Sequence, residues 1–496
     1  MKNTKTLIRV ITLALCAIML CSCFVGCGKE EEAVQSDTVS TAAPIEEEGE
    51  IQPVFSGKTY NNTPFTVIVR KDTANGIYES DVNVTNYTSS STTVEKAVYE
   101  RNIVVEDQLK IRFNFVAIEN TKIDSEINTN VLGGETDTYD LIVHDGRSVF
   151  KDVLGGELVN WAELEYVNLD APWWNQNARK EWTTKGGKIF AMNGDLSYMS
   201  VGSAGVLYFN RDVFNDHQNL TSPYDHVANN TWTLENFKKA IADADAAIST
   251  GDGDDNYGYC AQYWRGPIYA TYCTGISTLV KDGDGNLGVG IDSERFDTAF
   301  MDYYNNVYNT SYTYRESALG KARDSFKAGK SVFFDDNLAS AVNFNNSGVN
   351  FGIVPWPKYD STVANYNSLV GSGTNTFAVP LNTSQENRVR ISEVLEAMAY
   401  YGYKNVVPSY FDTVISYQAV QDNESLKMLQ TIRGTLHFDL GHYVNFGKIG
   451  DVGALVCDKT YSSVSTAFTD IIPKAKMEFD VWDNLDASTD EANQEQ

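Results

Sequence analysis

Three polar side chains, Asp335, Asp336 and Asn337, directly follow the apolar run Ser331–Phe334, which predicts a β-strand. A carboxylate can accept paired hydrogen bonds from adjacent hydroxyl groups, and an amide can both donate and accept them. Paired carboxylates would also suit acid–base hydrolysis of a glycoside. A structural role stays open, because Asp and Asn are also common in turns and helix caps.

A second polar cluster lies earlier in the chain, where the predicted strand Asp140–His144 leads into Asp145 and Arg147. The strand is short and continuously apolar before its histidine, which is typical of a buried parallel strand. Ligands of open α/β sheets bind beyond the carboxyl ends of the strands. We therefore expect His144, Asp145 and Arg147 to lie at a ligand-binding edge.

The elements that must position these clusters alternate between strand and helix. The first five are predicted at Phe65–Arg70, Val94–Leu109, Ile111–Ile118, Ile123–Leu132 and Asp140–His144. Later strands are predicted at Lys188–Met192, Val206–Asn210 and Phe351–Pro357, and later helices at Thr233–Ile248, Phe296–Tyr308, Ala318–Ala328, Val389–Tyr401 and Ser425–Ile432. This alternation predicts an α/β fold with a mostly parallel sheet covered by helices.

Composition limits the possible partners. The 496 residues include 66 acidic and 39 basic side chains, for a net charge of −27. This argues against nucleic acid as a partner, because its phosphates demand clustered Lys and Arg.

The chain is too long for one hydrophobic core, so we expect two domains. Its 28 Tyr and 8 Trp combine flat apolar faces with polar tips, as carbohydrate binding requires, although most aromatic residues must fill the cores.

Cysteines and acidic loops give little sign of metal or disulfide chemistry. A Cys260–Cys273 pair stays open, with buried free thiols as the favoured alternative. Two loops, Asp252–Asn256 and Asp282–Asn286, resemble calcium sites but lack the Gly and Glu that an EF-hand needs. The second is better explained as a hairpin turn. We expect no metal and no cofactor.

The N-terminus has the layout of a signal peptide, with a short basic segment before the apolar run Val10–Val25. Leu20–Cys23 and Phe24–Cys27 at its end resemble the bacterial lipobox, whose last Cys receives a diacylglycerol. We expect Cys27 to be the lipidated residue, because polar chain follows it directly, with Cys23 as the alternative. A permanent membrane helix is the other alternative.

The segments at the two ends of the body are acidic and poor in large apolar residues. We expect residues 1–26 to be the lipoprotein signal peptide, 27–57 a lipid-anchored flexible linker, and 483–496 a disordered tail. Such a linker would lift the folded body off the membrane.

Six short segments stand in a particular order along the body: Gly187–Ala191, Gly205–Phe214, Thr231–Leu234, Phe326–Phe334, Phe351–Pro357 and Thr376–Pro380. In this order, behind a lipobox-like signal, they resemble the extracellular solute-binding proteins of ABC importers, the family that includes maltose- and oligosaccharide-binding proteins. Residues 401–480 match this family least well.

The resemblance implies a two-lobed α/β fold of the periplasmic-binding-protein type (type II), with the ligand in a cleft between the lobes. Lobe 1 would comprise residues 58–190 and 355–400, and lobe 2 residues 191–354 and 401–482. The lobes of such proteins close around the ligand by a hinge motion.

The resemblance also implies which side chains bind the ligand, since cleft residues come from strand-end loops on both lobes. They are His144, Asp145, Asn193, Asp195, Tyr198, Ser203, Tyr263, Trp264, Arg265, Asp335, Asp336, Asn337 and Trp356. Trp264 could equally be a core residue, and Trp356 could seat a hinge. Few of these residues are basic, which disfavours strongly anionic solutes.

The function that the resemblance implies is non-enzymatic. The protein would capture a small solute, expected to be a sugar or oligosaccharide, at the outer face of the bacterial cell membrane and pass it to the permease subunits of an ABC transporter. We expect a monomer. The alternatives are a surface glycoside hydrolase and a glycan-binding surface protein without a transporter, although no nucleophile elbow or HExxH motif is present.

Overall fold

In the computed structural model, the described residues are 51–73, 77–251, 255–262, 264–315, 320–418 and 423–486. They belong to one compact unit that begins at Ile51. The expected signal peptide, Cys23, Cys27 and most of the linker lie outside the described residues. The same is true of Tyr263, of residues 252–254 in the first candidate calcium loop, and of residues 487–496 in the expected tail.

The strands are β1 Thr63–Arg70, β2 Ile111–Ile118, β3 Leu141–Asp145, β4 Gly205–Asn210, β5 Tyr257–Ala261, β6 Leu279–Lys281, β7 Leu287–Val289, β8 Thr313–Arg315, β9 Ser331–Asn337, β10 Phe351–Pro355, β11 Ser368–Leu369, β12 Asn375–Ala378 and β13 Leu436–His437.

The α-helices are α1 Thr93–Leu109, α2 Asn120–Gly133, α3 Gly146–Gly155, α4 Gln176–Trp182, α5 Met199–Gly202, α6 Arg211–Asp216, α7 Pro223–Ala228, α8 Leu234–Ile248, α9 Arg265–Thr271, α10 Glu294–Tyr303, α11 Lys321–Lys327, α12 Gln385–Tyr401, α13 Val407–Ser416, α14 Asn423–Gly434, α15 Leu440–Val444, α16 Val452–Cys457 and α17 Val464–Asp483. Tyr304–Tyr308 and Gly402–Val406 are π-helical, and Trp161–Glu163, Leu338–Phe344 and Phe446–Asp451 are 3-10 turns.

Local sequence sets where the main helices begin. Helix α1 starts at a capping box, in which the Glu95 N–H donates to Thr92 Oγ1 (3.3 Å) and the Thr92 N–H donates to Glu95 Oε2 (2.6 Å). Thr233, the first residue of the predicted helix Thr233–Ile248, caps α8, because its side chain accepts from the Asn236 N–H. Helix α3 follows β3 without a loop because Asp145 ends the strand and caps the helix.

The first sheet has the strand order β12-β3-β1-β2. Strands β2 and β3 run parallel to β1, with Val67 opposite both Phe115 and Leu141, whereas β12 pairs antiparallel with β3. The predicted alternation of strand and helix over residues 65–144 is thus confirmed, and the carboxyl end of β3 leads directly to Asp145.

The second sheet has the strand order β10-β4-β9-β5-β8. Strand β4 pairs antiparallel with β10 and β9, while β5 pairs parallel with β9 and β8. Its strands are buried along nearly their whole length, which explains their continuous apolar runs. The predicted hairpin is also present, formed by β6 and β7.

The C-terminal segment, β13 to α17, packs on elements next to the first sheet. The ring of Trp182 in α4 lies 5.4 Å from Phe438, and that of Phe150 in α3 stacks 6.3 Å from Trp482. Burial of these large rings stabilises the arrangement by several kcal/mol at about 25 cal/mol per Å². Beyond Trp482, Leu485 is buried and the Asp486 carboxylate accepts a hydrogen bond from the Gly186 N–H (2.6 Å).

Two sequence-based predictions of strands differ from the structure. Lys188–Met192 is not a strand; only Met192 forms a bridge, to Phe377. Strand β9 does not end at Phe334 but continues to Asn337, which pairs with Gly205. The aspartates predicted to lie in a loop therefore belong to a central strand, because polar side chains there find buried partners that local sequence does not reveal.

Among the helices of the described chain, none is both long enough and apolar enough to cross a membrane.

Candidate ligand-binding site

A cavity of about 310 Å³ opens where loops from the two sheets meet. Carboxylates, guanidiniums, hydroxyls and aromatic rings share its lining. The residues that carry the argument below are Tyr78, Asp145, Arg147, Ser203, Trp264, Arg265, Asn337, the loop Gly371–Thr374, His442 and Asp451. Such a mixture suits a small solute with hydroxyl groups and apolar faces.

The end of β3 places the carboxylate of Asp145 in the lining. Its Oδ1 accepts a hydrogen bond from the Ser148 N–H (3.1 Å) at the start of α3. Its Oδ2 lies 3.4 Å from His144 Nδ1, and 16% of the side chain is exposed. One oxygen of the Asp145 carboxylate thus caps helix α3, while the other remains an acceptor for the cavity.

Arg147, in the first turn of α3, holds Asp451 from the C-terminal segment. Its Nη2 lies 2.5 Å from Asp451 Oδ1 and its Nη1 lies 3.3 Å from Oδ2, while its Nε donates to the His442 carbonyl (3.2 Å). Burial alone would raise the pKa of Asp451, but hydrogen bonds and charge from Arg147 outweigh it and hold that pKa below its usual value. Burial, assisted by the Arg147 charge, lowers the pKa of His442 to about 4.

Arg265 enters the lining at the start of α9 and is held by Asp336. Asp336 is fully buried in β9, where its Oδ1 pairs with Arg265 and its Oδ2 lies 2.7 Å from Arg323 Nη2. Asp336 therefore positions two guanidiniums instead of reaching the cavity itself.

Two aromatic rings offer flat surfaces to a ligand. Tyr78 lies in the loop after β1, and the Arg70 guanidinium packs on its ring at 3.7 Å from the centroid. Trp264 is half-buried beside Arg265. Rings of this kind stack on the apolar faces of sugars while polar neighbours bind the hydroxyls.

The loop Gly371–Thr374 completes the lining, and sequence reasoning missed it. The Gly371 N–H donates to the Ser203 carbonyl (3.1 Å), and the Gly146 N–H donates to the Ser372 carbonyl (2.7 Å). The loop thereby connects α3, beside the first sheet, with the turn before β4 of the second. Its run of small residues between two short strands was the available signal.

Five of the predicted ligand residues line the cavity: Asp145, Ser203, Trp264, Arg265 and Asn337. Asn337 also caps the 3-10 turn Leu338–Phe344, because its Oδ1 accepts from the Ser340 N–H (3.2 Å). The structure thus brings together residues from the strand ends and loops of both sheets.

Three other predicted residues point away from the cavity. Successive side chains of a strand alternate between its faces, so His144 is fully buried, with Nε2 2.9 Å from Asp124 Oδ1. Asp335 is also fully buried, and its Oδ1 accepts from the Tyr259 hydroxyl (2.7 Å). Asp336 holds the two arginines described above.

Asn193 and Tyr198 lie in the core beneath the cavity. The Asn193 Nδ2 donates to the Asn375 carbonyl (2.8 Å), and the Tyr198 ring stacks on Tyr410 at 4.8 Å. Both side chains are almost completely buried. They support the segments around the cavity and are not part of its lining.

Asp195 lines a separate cavity of about 240 Å³, next to Trp174 and Gly194. Its Oδ2 lies 2.5 Å from Arg433 Nη2. Burial raises the pKa of Asp195 to about 6, although the Arg433 charge opposes the shift.

Trp356 is a core residue, 2% exposed, whose ring packs 5.8 Å from Tyr269 and 6.1 Å from Phe237. It lies behind Tyr269, which does line the cavity. Tyr263 cannot be placed, since it lies outside the described residues.

No group of three or more metal-ligating side chains occurs in the part of the chain that the structure describes. In the second candidate calcium loop, Asp282 Oδ1 accepts from the N–H groups of Asp284 and Asn286, each at 2.9 Å, so it forms the β6–β7 turn. Cys260, Cys273 and Cys457 are buried, and no disulfide joins Cys260 to Cys273.

No protein-family model and no curated protein matches this sequence. Solved structures do match. A cyclo/maltodextrin-binding protein complexed with maltotetraose gives a TM-score of 0.54 at 14% identity, over 84% of this chain and 97% of that one. The GacH receptor of Streptomyces glaucescens, solved with acarbose, gives 0.52 at 14% identity, over 85% and 98%. This is the two-lobed fold of the solute-binding proteins.

A third solute-binding protein, Lmo0181 from Listeria monocytogenes in complex with cycloalternan, matches with a TM-score of 0.51 at 13% identity, over 86% of this chain and 99% of that one. The likeness thus spans nearly the full length of each solute-binding protein. The predicted two-lobed, periplasmic-binding-protein-like α/β fold is confirmed, and so is the resemblance at the level of fold. At these identities the likeness concerns the fold alone.

Proposed function

We propose that this protein is the substrate-binding receptor of an ABC importer, which captures an extracellular carbohydrate and delivers it to a membrane permease. The observation that carries the proposal is the polar and aromatic cavity between strand ends of two sheets in a solute-binding fold. Proteins of similar fold were solved with maltotetraose, acarbose and cycloalternan, which supports a carbohydrate ligand.

The lining has the groups that a sugar needs. Asp145 Oδ2 accepts hydrogen bonds from hydroxyls, while Arg265 and the hydroxyl of Ser203 donate them. Trp264 and Tyr78 supply stacking surfaces. We assign ligand contacts to these five residues, with Asn337 beside them on the second sheet.

Capture would proceed by closure of lobe 1 (residues 58–190 and 355–400) on lobe 2 (residues 191–354 and 401–482) about the segments that cross between them. The positions of the two sheets along the chain are compatible with this division. A lipid on Cys27, or on Cys23, and the acidic linker would keep the monomeric receptor at the outer face of the membrane, within reach of its permease.

Calorimetric titration of the full-length protein with neutral and charged oligosaccharides tests the proposal. We expect micromolar or tighter binding of at least one sugar, and binding weakened about 10- to 100-fold in Trp264→Ala. Binding of a different solute class alone would contradict the carbohydrate assignment. Appearance of new reducing ends during incubation would contradict the non-enzymatic function and favour a glycoside hydrolase. The depressed pKa of Asp451 does not suit the general acid of such an enzyme.

A further inference from the structure

Arg265 is held so that part of its guanidinium remains available to a ligand. Asp336 pairs with its Nη1, and the Trp264 ring centroid lies 4.9 Å from its Cζ. The side chain keeps 21% of its surface exposed. Within the described residues, its Nε and Nη2 make no hydrogen bond. These nitrogens carry N–H donors that a ligand in the cavity can use.

The carboxylates nearest to Arg265, those of Asp335 and Asp336, are buried and do not line the cavity. Asp336 is fully buried and saturated, because Arg323 binds its Oδ2 (2.7 Å) and the Asn337 N–H donates to its Oδ1 (2.8 Å). Asp335 is fully buried too, and its Oδ1 accepts from Tyr259 and from the Gln262 N–H (3.0 Å). A solute therefore meets guanidinium donors at this end of the cavity, with both carboxylates behind them.

On the side of the first sheet, the cavity offers a hydrogen-bond acceptor to a ligand instead of donors. Asp145 offers a carboxylate oxygen to hydroxyl groups, while the guanidinium of Arg147 is already occupied by Asp451 and the His442 carbonyl. Among the lining residues that the structure describes, Arg265 is thus the guanidinium with the most N–H donors left for a ligand. A planar guanidinium binds a carboxylate through two parallel charge-assisted hydrogen bonds, whereas it meets a neutral hydroxyl through a single bond with no opposite charge.

We propose that the solute is an acidic carbohydrate, a sugar chain carrying a carboxylate, and that Arg265 binds this carboxylate. Asp336 and Arg323 act as positioning residues for the guanidinium. The inference rests on the proposed receptor function and narrows its ligand class. It also revises the expectation that strongly anionic solutes are disfavoured, since the arginine predicted at this site is oriented by a buried carboxylate.

The test compares matched trisaccharides by calorimetry on the full-length protein. Each pair in the gluco, galacto and manno series consists of a neutral trisaccharide and its hexuronate counterpart. We expect the hexuronate of at least one pair to bind about tenfold or more tightly than its neutral counterpart. Arg265→Gln should abolish this preference, because it should weaken hexuronate binding about tenfold more than it weakens neutral-sugar binding. Arg265→Lys should restore only part of it.

Arg295→Gln is the matched control, because it removes one guanidinium from an exposed pair with Asp360 outside the cavity. It should leave the preference intact, and thermal melts should confirm that all three variants are folded. Equal or tighter binding of the neutral sugar in every pair that binds would overturn this inference alone. A hexuronate preference that survives Arg265→Gln would overturn it as well. Absence of binding by every sugar would overturn the inference together with the carbohydrate assignment of the proposed receptor.

Discussion

Arg147 and Asp451 are 304 residues apart in sequence and meet at the cavity, with Nη2 2.5 Å from Oδ1 and Nη1 3.3 Å from Oδ2. Arg147 belongs to the first turn of α3, next to the first sheet. Asp451 belongs to the C-terminal segment. The bidentate pair therefore fastens this segment to the first sheet where the ligand would bind.

Breaking this pair should destabilise the protein. Arg147→Met leaves the Asp451 carboxylate half-buried without its guanidinium, so we expect the free energy of unfolding at pH 7 to fall by about 1–3 kcal/mol. Urea denaturation measures the change. Arg179→Met is the control, because Arg179 pairs with a largely exposed Asp170 and should cost only about 0–1 kcal/mol. Equal losses in both variants would contradict the special role of the pair.

The same pair predicts a dependence on pH. The pKa of Asp451 is lowered from 3.8 in the folded state, so its contribution is complete above pH 3.8 and is lost as pH falls through the folded pKa. The difference in unfolding free energy between the wild type and Arg147→Met should be constant above about pH 7. It should narrow as the pH falls below 6.5, because the Arg147 charge helps to lower the pKa of His442 to about 4, and narrow further below pH 3.8 as Asp451 is protonated. A difference that persists at pH 2 would argue against this assignment.

Glu396 should make the stability of the protein depend on pH in the opposite sense to Asp451. It is fully buried in α12, where it accepts a hydrogen bond from Trp174 Nε1 (2.9 Å), and burial raises its pKa from 4.5 to about 7. The folded state therefore holds its proton more tightly, and stability should fall by up to about 3 kcal/mol between pH 4.5 and 7. Glu396→Gln keeps an acceptor for Trp174 and should be more favourable relative to the wild type at pH 8 than at pH 4.5. A pH-independent difference would disprove the raised pKa.

The two tryptophans predicted as ligand platforms should behave differently. Trp264→Ala removes a half-buried ring at the cavity, so we expect about 10- to 100-fold weaker sugar binding with little change in melting temperature. Trp356→Ala removes a core ring and should lower the free energy of unfolding by about 3–5 kcal/mol. Calorimetry and thermal melts on both variants distinguish the roles, and reversed effects would refute the placement of the two rings.

Gly402 marks a close approach between the end of α12 and the segment that contains Asp195. A Cβ on Gly402 would lie 1.9 Å from the Asp195 carbonyl oxygen, so Gly402→Ala should cost at least about 1–3 kcal/mol of unfolding free energy. Gly434→Ala is the control, since no atom lies within 4 Å of its added Cβ in α14, and it should be neutral or slightly stabilising. Similar urea midpoints for the two variants would contradict this contact.

The lipid anchor is testable in cells by metabolic labelling with palmitate. Cys27→Ser should abolish incorporation and release the protein from the membrane fraction, because two acyl chains are what hold it there. Cys23→Ser should leave labelling unchanged. The reverse outcome would assign the lipid to Cys23. Absence of palmitate labelling in the wild-type protein would contradict the lipid anchor.

Much of the fold could be predicted because its signals are local. The apolar runs of β1 to β3, the threonine caps of α1 and α8, and the turn at Asp282–Asn286 depend on residues near each other in sequence. Lys188–Met192 was predicted as a strand and was not found, because an apolar run cannot show whether a neighbouring strand is present to pair with it.

In the candidate site, too, local features could be predicted and long-range contacts could not. The sequence by itself determined that Asp145 and Asn337 follow apolar runs predicted as strands, and the family resemblance pointed to Arg265. Only the tertiary structure decided that Asp336 is a buried support for Arg265 and that Asp451 joins Arg147. The physical reason is that a strand turns neighbouring side chains to opposite faces, and that the partners of a buried charge come from distant parts of the chain.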